Sequence, residues 1–406
     1  MIAKLLPLRT RFHFVLACGL CLAWSSVDAA HSEQRANVHF RGSLDNSRIQ
    51  FEQNQTGHVA FLGGSITEMN GYRPMVCEIL TRRFPKTEFT FTNAGIASTC
   101  STTGAFRLQR DVLSAGPVDL LFVEFAVNDD QDAAHAGREC IRGMEGIIRH
   151  VWRHNPCADI VVTHFTNPEM IETLQGGGTP LSSGGHERVA EHYHVSTIDL
   201  AREVAERITA GTLTWKEFGG THPAPRGNRL CADMIDALLT EAWSSPLANG
   251  GKTPHELPDP IDPGNYGTGN FVAPDTAKSM RGWELRKPDW ESLPGSSRQR
   301  FAELSLMCAN EAGAELELEF DGTAVGAYLL AGPDAGMVLA RIDDGPTTSF
   351  DLYHRFSSGL HYPRTVMFAT DLQPGTHTLT LIVADTKNPK SVGHAVRILD
   401  FAVLSP

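Results

Sequence analysis

The chain contains 406 residues, of which 41% are hydrophobic and 20% are charged, and its formal net charge is −12 at pH 7. This length is too great for one hydrophobic core of ordinary size and predicts two domains. The acidic balance argues against nucleic acid or an anionic membrane as the main partner, because both repel a negatively charged surface.

Residues 1–30 have the pattern of a secretory signal peptide. Three basic residues precede an apolar run over residues 12–24, which is too short to span a bilayer. Small residues follow, and we predict cleavage near Ala29 or Ala30. A lipoprotein signal ending at Cys18 fits less well, because the apolar stretch before it would be very short. We therefore predict an exported protein, periplasmic or extracellular, that is not inserted in a membrane after cleavage.

Strand-like and helix-like stretches alternate from residue 56 to residue 243. The strand-like stretches are rich in Val, Ile, Phe and Thr and lie at 58–62, 88–93, 120–127, 159–165 and 195–200. The helix-like stretches lie at 72–84, 134–154, 187–194, 201–208 and 226–243. Such alternation is typical of a parallel sheet covered on both faces. For residues 51–245 we predict an α/β domain, a three-layer α/β/α sandwich around a five-stranded parallel sheet.

The remainder of the chain has a different pattern. Residues 246–269 contain five prolines and are predicted to be a linker. Within 270–406 the alternating run 315–320 places its leucines and phenylalanine on one face, and six more strand-like stretches follow. We predict an all-β sandwich or jelly-roll domain. Its loops 332–336 and 354–364 are long enough to reach a neighbouring active site.

The cysteines and histidines do not have the spacing of a known metal centre. Signal cleavage removes two of the eight cysteines, and the other six fit disulfides or free thiols equally well. No group has the spacing of zinc ligands or of a calcium loop. His186, His192 and His194 lie on or just after one predicted helix but do not share a face. We predict neither a metal nor a cofactor.

Ser65 is the candidate nucleophile. It follows the apolar run 59–62 and two glycines, Gly63 and Gly64, and helical spacing begins at residue 72. A strand, a glycine turn, a serine and a helix can present a nucleophile at the carboxyl edge of a parallel sheet. The glycines would also let a substrate approach closely. One such turn is weak evidence by itself, because most of them are not catalytic.

Three further residues lie where an acyl-transfer site needs them. His222 precedes the last helix of the domain, and its imidazole could take the Ser65 proton, although a loop histidine can also simply cap or pack. Gly95 and Asn128 end the second and third strands, and with the Ser65 N–H they could form an oxyanion hole. Taken singly, Gly95 is equally an ordinary turn glycine and Asn128 a helix cap.

In this order the four residues resemble the four blocks of the SGNH (GDSL-type) hydrolases. Gly-Gly-Ser-Ile-Thr at 63–67 resembles the first block, with Gly64 where the family has aspartate. Gly95, Asn128 and His222 followed by proline resemble the other three, and the resemblance covers about residues 55–243. It implies a flavodoxin-like sandwich with Ser65 as the nucleophile, His222 as the base, and an oxyanion hole from Ser65, Gly95 and Asn128.

The chain departs from the family pattern at Gly219. The family usually has an aspartate three residues before the histidine, where it orients the imidazole. Three interpretations stay open for this chain: a Ser–His dyad with a backbone carbonyl on the imidazole N–H, orientation of the imidazole by Glu217, or an inactive enzyme.

The resemblance implies a serine esterase that works through an acyl-serine. The β domain resembles the jelly-roll modules of carbohydrate esterases, although those modules usually precede the catalytic domain. We therefore predict an exported esterase that removes a small acyl group, acetyl in the first place, from an acylated carbohydrate. The alternatives are a carbohydrate-binding protein built on an inactive SGNH domain and a sugar O-acyltransferase.

Overall fold

The computed structural model describes Met1 and residues 36–247 and 250–406, so that the predicted signal peptide lies outside the described residues apart from Met1. The first sheet has the order β1-β6-β5-β4-β2-β3. Strands β2 to β6 are parallel and form the predicted five-stranded sheet, whereas the short β1 pairs antiparallel with β6 at one edge. The strands are β1 (Val38–His39), β2 (Thr56–Gly63), β3 (Glu88–Gly95), β4 (Leu120–Glu124), β5 (Asp159–Thr163) and β6 (Ser196–Ile198).

Helices cover both faces of this sheet. Each predicted helix is present with shifted ends, and α1, α2, α4, α6 and α9 were not predicted. None of the described helices is long and apolar enough to cross a membrane. The helices are α1 (Asp45–Ile49), α2 (Ser65–Glu68), α3 (Tyr72–Arg83), α4 (Ser101–Asp111), α5 (Gly137–His154), α6 (Pro168–Gln175), α7 (Leu181–His192), α8 (Leu200–Thr209), α9 (Trp215–Phe218) and α10 (Pro225–Ala242).

The sheet is buried on both faces, which explains its continuous apolar strands. Along β2, Val59 and Phe61 contribute to the core under one helical layer, and Ala60 and Leu62 to the core under the other. Phe61 stacks on Phe122 of β4 with ring centroids 5.1 Å apart. Full burial of one such aromatic side chain stabilises the fold by about 2 kcal/mol. The central strands are therefore rigid supports for the residues at their carboxyl ends.

The segment predicted as a linker lies on the α/β domain. His255 contacts Asp159 at 2.8 Å, and the backbone N–H of Asp262 donates to the buried Glu145 at 2.9 Å. The ring of Tyr266 packs against Phe106 of α4 with centroids 5.0 Å apart. These contacts fix the segment to the surface of the first domain, so it does not act as a free tether.

The second domain is a β-sandwich, as predicted. One sheet has the order β15-β12-β17-β10-β9 with β7 beside β17, and the other has the order β14-β13-β16-β11-β8. All pairings are antiparallel, and inward side chains of the two sheets form one core. The strands are β7 (Gly269–Val272), β8 (Lys278–Arg281), β9 (Glu284–Arg286), β10 (Leu306–Ala309), β11 (Glu315–Gly322), β12 (Ala324–Ala331), β13 (Met337–Ile342), β14 (Thr348–Asp351), β15 (Tyr362–Ala369), β16 (Gly375–Val383) and β17 (Val396–Leu404).

The sandwich packs against α4 of the α/β domain. Thr103 and Thr365 share a hydrogen bond of 2.8 Å, and Arg110 pairs with Asp400 at 2.8 Å. Because α4 follows the carboxyl end of β3, these contacts bring the second domain to the edge of the sheet that carries Ser65.

Candidate active site

Ser65 and His222 meet at the carboxyl edge of the parallel sheet. Strand β2 ends at Gly63, Gly64 caps α2, and Ser65 is the first residue of that helix. The Oγ of Ser65 lies 2.7 Å from Nε2 of His222, which is hydrogen-bonding distance. The structure thus brings together a hydroxyl and an imidazole that are 157 positions apart in the chain.

The two glycines before Ser65 are explained by close packing. A β-carbon on Gly63 would collide with the carboxylate of Glu124, and one on Gly64 would collide with the side-chain amide of Asn128. Neither glycine has a positive φ. Any larger residue would therefore push Glu124 and Asn128 away from the turn that carries Ser65.

Glu124, at the end of β4, holds this turn by its carboxylate. Its Oε1 accepts hydrogen bonds from the backbone N–H of Gly64 at 2.9 Å, the N–H of Thr67 at 3.2 Å and the Thr67 hydroxyl at 2.8 Å. Its Oε2 is buried and has no partner among the described residues. Burial raises the pKa of the Glu124 carboxyl to about 7. Glu124 is thus a cap for α2, a role that the sequence analysis did not assign to it.

A buried arginine ties the ends of β2 and β3 together. Nη2 of Arg107 donates to the carbonyl of Gly63 at 2.9 Å, and Nη1 donates to the carbonyl of Ala94 at 2.7 Å. The side chain is fully buried and pairs with Asp111 on its own helix at 3.1 Å. Arg107 therefore fixes the two strand ends on which the candidate site is built.

The predicted oxyanion donors differ in their surroundings. The side chain of Asn128 packs against Gly64, and its Nδ2 donates to Asp132 at 2.5 Å, which leaves the second Nδ2 hydrogen for another acceptor. The Gly95 N–H donates to the side chain of Asn93 at 3.0 Å, so it is already engaged. A β-carbon on Gly95 would collide with the backbone of α2, which explains the glycine. The oxyanion role of Ser65, Gly95 and Asn128 stays a prediction.

The loop that carries His222 is fixed at both ends. Nδ2 of Asn228, in the first turns of α10, donates to the carbonyl of Pro223 at 2.6 Å. At the other end, the N–H of Ala224 donates to the carbonyl of Phe218 at 2.9 Å. The exposed His222 is therefore presented by a short, closed loop, and sequence reasoning had missed Asn228.

Glu217 does not orient His222 in this structure. One of its oxygens accepts from the backbone N–H and hydroxyl of Thr214 at 2.8 and 2.9 Å, and the other pairs with Arg226. This is a capping box for α9. Nδ1 of His222 makes no hydrogen bond to any carboxylate or backbone carbonyl of the described residues. Of the three interpretations, the geometry is that of a Ser–His dyad, without the expected carbonyl partner.

Gly219 cannot be replaced by the family's aspartate without rebuilding the loop. It ends α9 with φ +109°, a conformation that residues with a side chain rarely adopt. A β-carbon there would collide with the backbone nitrogen of Ala224. An aspartate at residue 219 would therefore require a different conformation of the loop, and exchanging the side chain alone would not restore the triad.

Three further histidines of the α/β domain have separate partners. His164 contacts Glu187 at 3.0 Å, His186 contacts Asp129 at 2.9 Å, and His192 contacts the carbonyl of Asp259 at 2.8 Å. The six cysteines within the described residues are all free thiols.

The second domain reaches the candidate site through Arg298 and loop 354–364. Arg298 donates to the carbonyl of Ala97 at 2.9 Å and to the hydroxyl of Ser98 at 2.7 Å, and the Tyr362 hydroxyl donates to the Ser98 carbonyl at 3.3 Å. Ser98 has φ +69° in the turn that follows β3. The same loop contacts the turn after Asn128, where His354 bonds the Asp132 carbonyl.

The other loop predicted to be long enough to reach the site makes contacts within the sandwich. In segment 332–336, Asp334 pairs with Arg397 at 2.6 Å.

We expect Gly219→Asp to destabilise the protein and not to create a working triad. The substituted residue would combine an unfavourable positive φ with the collision at Ala224. Gly220→Asp is the matched control, because Gly220 also has a positive φ, +90°, but open space around its β-carbon. In urea unfolding we expect a loss of about 1–2 kcal/mol for Gly220→Asp and at least twice that loss for Gly219→Asp. Equal losses would contradict the packing argument.

The raised pKa of Glu124 predicts a pH-dependent stability. The folded protein holds this proton up to about pH 7, whereas the unfolded chain releases it near the ordinary value of 4.5. Between these values the folded state binds more protons, so the free energy of unfolding falls as the pH rises. Relative to Glu124→Gln, we expect the wild type to lose up to about 3 kcal/mol across this window in urea unfolding. Glu88→Gln, at the exposed start of β3, is the control, and a difference that stays constant with pH would refute the assignment.

The α/β domain is similar in sequence to a known family of hydrolases. Residues 61–230 match the GDSL-like lipase/acylhydrolase family. No curated protein is similar enough in sequence to count as a relative. Among solved structures, the chain is similar to a two-domain esterase (CEX) active on acetylated mannans, co-crystallised with mannopentaose. The identity is 18%, the match covers 92% of this chain and 98% of that chain, and the TM-score is 0.74.

A second crystal structure of a two-domain esterase (CEX) active on acetylated mannans gives 19% identity, the same coverage of both chains and a TM-score of 0.73. At these identities the likeness establishes a shared two-domain fold. The family match covers residues 61–230, which lie within the α/β domain, so this domain is similar to the GDSL-like lipases and acylhydrolases.

Proposed function

We propose that this protein is an exported serine esterase that removes acetyl groups from a carbohydrate through an acyl-serine intermediate. The observation that carries the proposal is the 2.7 Å contact between Ser65 Oγ and His222 Nε2 in a domain of an ester-hydrolase family. Export is supported by the sequence pattern of residues 1–30.

In the proposed reaction, Nε2 of His222 accepts the Ser65 proton while Oγ bonds to the ester carbonyl carbon. The tetrahedral oxyanion then collapses, the bond to the sugar oxygen breaks, and the imidazolium gives its proton to that oxygen. A water molecule, deprotonated by His222, attacks the acyl-serine and releases acetate and the free serine. Donors at the oxyanion typically contribute about 3–4 kcal/mol each to such a reaction.

The choice of a carbohydrate ester rests on the two-domain arrangement. The similar crystal structures belong to esterases active on acetylated mannans, and one of them was co-crystallised with mannopentaose. In this chain, too, the sandwich lies beside the site, with Arg298 and Tyr362 bonded to the turn that follows β3. A substrate longer than one sugar unit would therefore meet both domains.

The absence of an acid on His222 does not favour an inactive domain. The imidazole in a dyad is oriented by Ser65 on one side and by the closed loop on the other. A catalytic carboxylate mainly fixes the tautomer and stabilises the imidazolium, so its loss lowers the rate without removing the nucleophile. The geometry therefore best supports an esterase that works with a Ser–His dyad and does not require the carboxylate of a triad.

We expect Ser65→Ala to abolish acetate release from acetylated mannan and labelling by a fluorophosphonate probe. The hydroxyl is the only group in the proposal that forms the covalent bond, so a loss of at least a thousandfold in kcat/KM is expected. Ser114→Ala, at an exposed serine in the turn after α4, is the control and should be unchanged. A folded wild-type protein that takes no label on Ser65 would support the inactive-domain alternative.

Product analysis separates hydrolysis from transfer. With a second, unacetylated oligosaccharide present, a hydrolase releases acetate in proportion to the ester consumed. If acetyl groups appeared on the acceptor in place of acetate, the acyltransferase alternative would replace the hydrolase.

We expect Arg298→Met to lower kcat/KM for ester hydrolysis about tenfold. The change removes two hydrogen bonds that hold Ala97 and Ser98 against the nucleophile turn, each worth about 1 kcal/mol. Arg281→Met is the control, because Arg281 bonds the Gly313 carbonyl and pairs with Glu315, both within the sandwich. Arg298→Lys should recover part of the rate, and the fluorophosphonate labelling rate of Ser65 should fall with kcat/KM. An unchanged rate in Arg298→Met would show that the second domain does not position this turn.

A further inference from the structure

Three potential metal ligands meet behind the candidate active site. Cys100 precedes α4, Asp129 lies in the turn after β4, and His135 lies in the loop before α5. One donor atom from each lies within 4.8 Å of the other two. The thiol and the carboxylate are buried, and the imidazole is 13% exposed.

The three donor atoms lie close together without short hydrogen bonds to one another. Nδ1 of His135 is buried and has no partner among the described residues, and it lies 3.7 Å from Oδ1 of Asp129. The sulfur of Cys100 lies 3.6 Å from the Thr103 hydroxyl. Around a tetrahedral zinc ion, with Zn–N near 2.0–2.1 Å and Zn–S near 2.3 Å, neighbouring ligand atoms are about 3.3–3.8 Å apart. The 3.7 Å between His135 and Asp129 lies within this range, and the Cys100 ligand atom lies within 4.8 Å of both.

The carboxylate is held in place by a second layer of contacts. Oδ1 of Asp129 accepts from the backbone N–H of Ser101 at 2.8 Å, and Oδ2 accepts from the Ser101 hydroxyl at 2.6 Å. Nε2 of His186 contacts Oδ2 at 2.9 Å. Such outer contacts orient the ligands of metal sites. The backbone also supports the arrangement, since Ala134 has φ +49° and the His135 N–H bonds the Asp129 carbonyl at 2.9 Å.

The cluster opens into a cavity between the two domains. This cavity has a volume of about 340 Å³, and Cys100, His135, Asp132, Tyr362 and Arg364 contribute to its walls. A fourth ligand, such as water, can therefore reach an ion bound by the other three.

We propose that Cys100, Asp129 and His135 bind a zinc ion, with the fourth position open to the inter-domain cavity. A thiolate excludes the hard cations Mg²⁺ and Ca²⁺, and a mixed sulfur, nitrogen and oxygen set suits Zn²⁺. The ion joins the start of α4 to the turn after β4, so it stabilises the turn whose Asp132 carbonyl contacts His354. The proposal is independent of the reaction at Ser65.

The test uses the full chain, treated with a chelator under reducing conditions and then dialysed against Zn²⁺ or Co²⁺. We expect one zinc ion per chain by elemental analysis, a thiolate-to-Co²⁺ charge-transfer absorption, and a higher Tm with zinc. Cys100→Ser should lose the charge-transfer absorption and most of the zinc. Cys157→Ser, at a partly exposed cysteine outside the cluster, should keep both.

Two further variants keep the outcome decisive. If Cys100→Ser does not fold, His135→Ala takes its place and should also lose the ion, with circular dichroism as the check of folding. Ser65→Ala should bind zinc like the wild type, which separates this site from the proposed esterase. A wild-type chain without stoichiometric zinc, or a folded Cys100→Ser chain that keeps the charge-transfer absorption, would overturn the proposal.

Discussion

The candidate active site depends on the buried carboxylate of Glu124. Ser65 must project from a very short helix, and a helix of four residues satisfies few of its own backbone groups. Glu124 supplies what the helix lacks, since one of its oxygens accepts three hydrogen bonds from Gly64 and Thr67. The carboxylate lies so close to the turn that residue 63 has no room for a side chain. The Glu124 carboxylate occupies the space that the missing side chain of Gly63 leaves. The reason for either residue therefore cannot be found in its own local sequence.

A second constraint governs the base. In a triad, a carboxylate holds the imidazole. Here the loop itself holds it, because the Ala224 N–H bonds the Phe218 carbonyl and the Asn228 side chain bonds the Pro223 carbonyl. The left-handed Gly219 is part of that closure, because the Ala224 backbone occupies the space of its missing side chain. The two ways of holding a histidine exclude each other in this loop. Among the described residues no carboxylate bonds His222, and Glu217 instead caps α9.

The sequence predicted the fold class and the Ser65–His222 pairing because both depend on strong local patterns. Strands buried on both faces are continuous apolar runs, and the four family blocks lie at strand ends. The misses have physical causes. Helix α4 begins with Ser-Thr-Thr-Gly, a poor helix former. It is held by tertiary packing, since Ser101 lies against Gly143 of α5 and Gly104 lies against the ring of Phe125. Strands β7 to β10 are only three or four residues long. The Glu217 alternative could have been rejected from sequence, since Thr214 and Glu217 have the spacing of a capping box.

The turn after β4 shows why contacts between distant segments were beyond sequence reasoning. Within residues 128–132, Asn128 packs on the nucleophile turn, Asp129 joins Cys100 and His135, and the Asp132 carbonyl binds His354 of the second domain. These residues belong to an acidic run that, from sequence alone, is typical of the start of a helix. Their different directions arise because this turn is wound as a π-helix, with one residue more per hydrogen-bonded turn than an α-helix. This turn therefore contacts the nucleophile turn through the Asn128 side chain, the buried cluster through the Asp129 side chain, and the sandwich through the Asp132 carbonyl. A displacement of this turn would alter its contacts with the nucleophile turn, the buried cluster and the sandwich. The position of Asn128 is therefore coupled to the packing of the two domains.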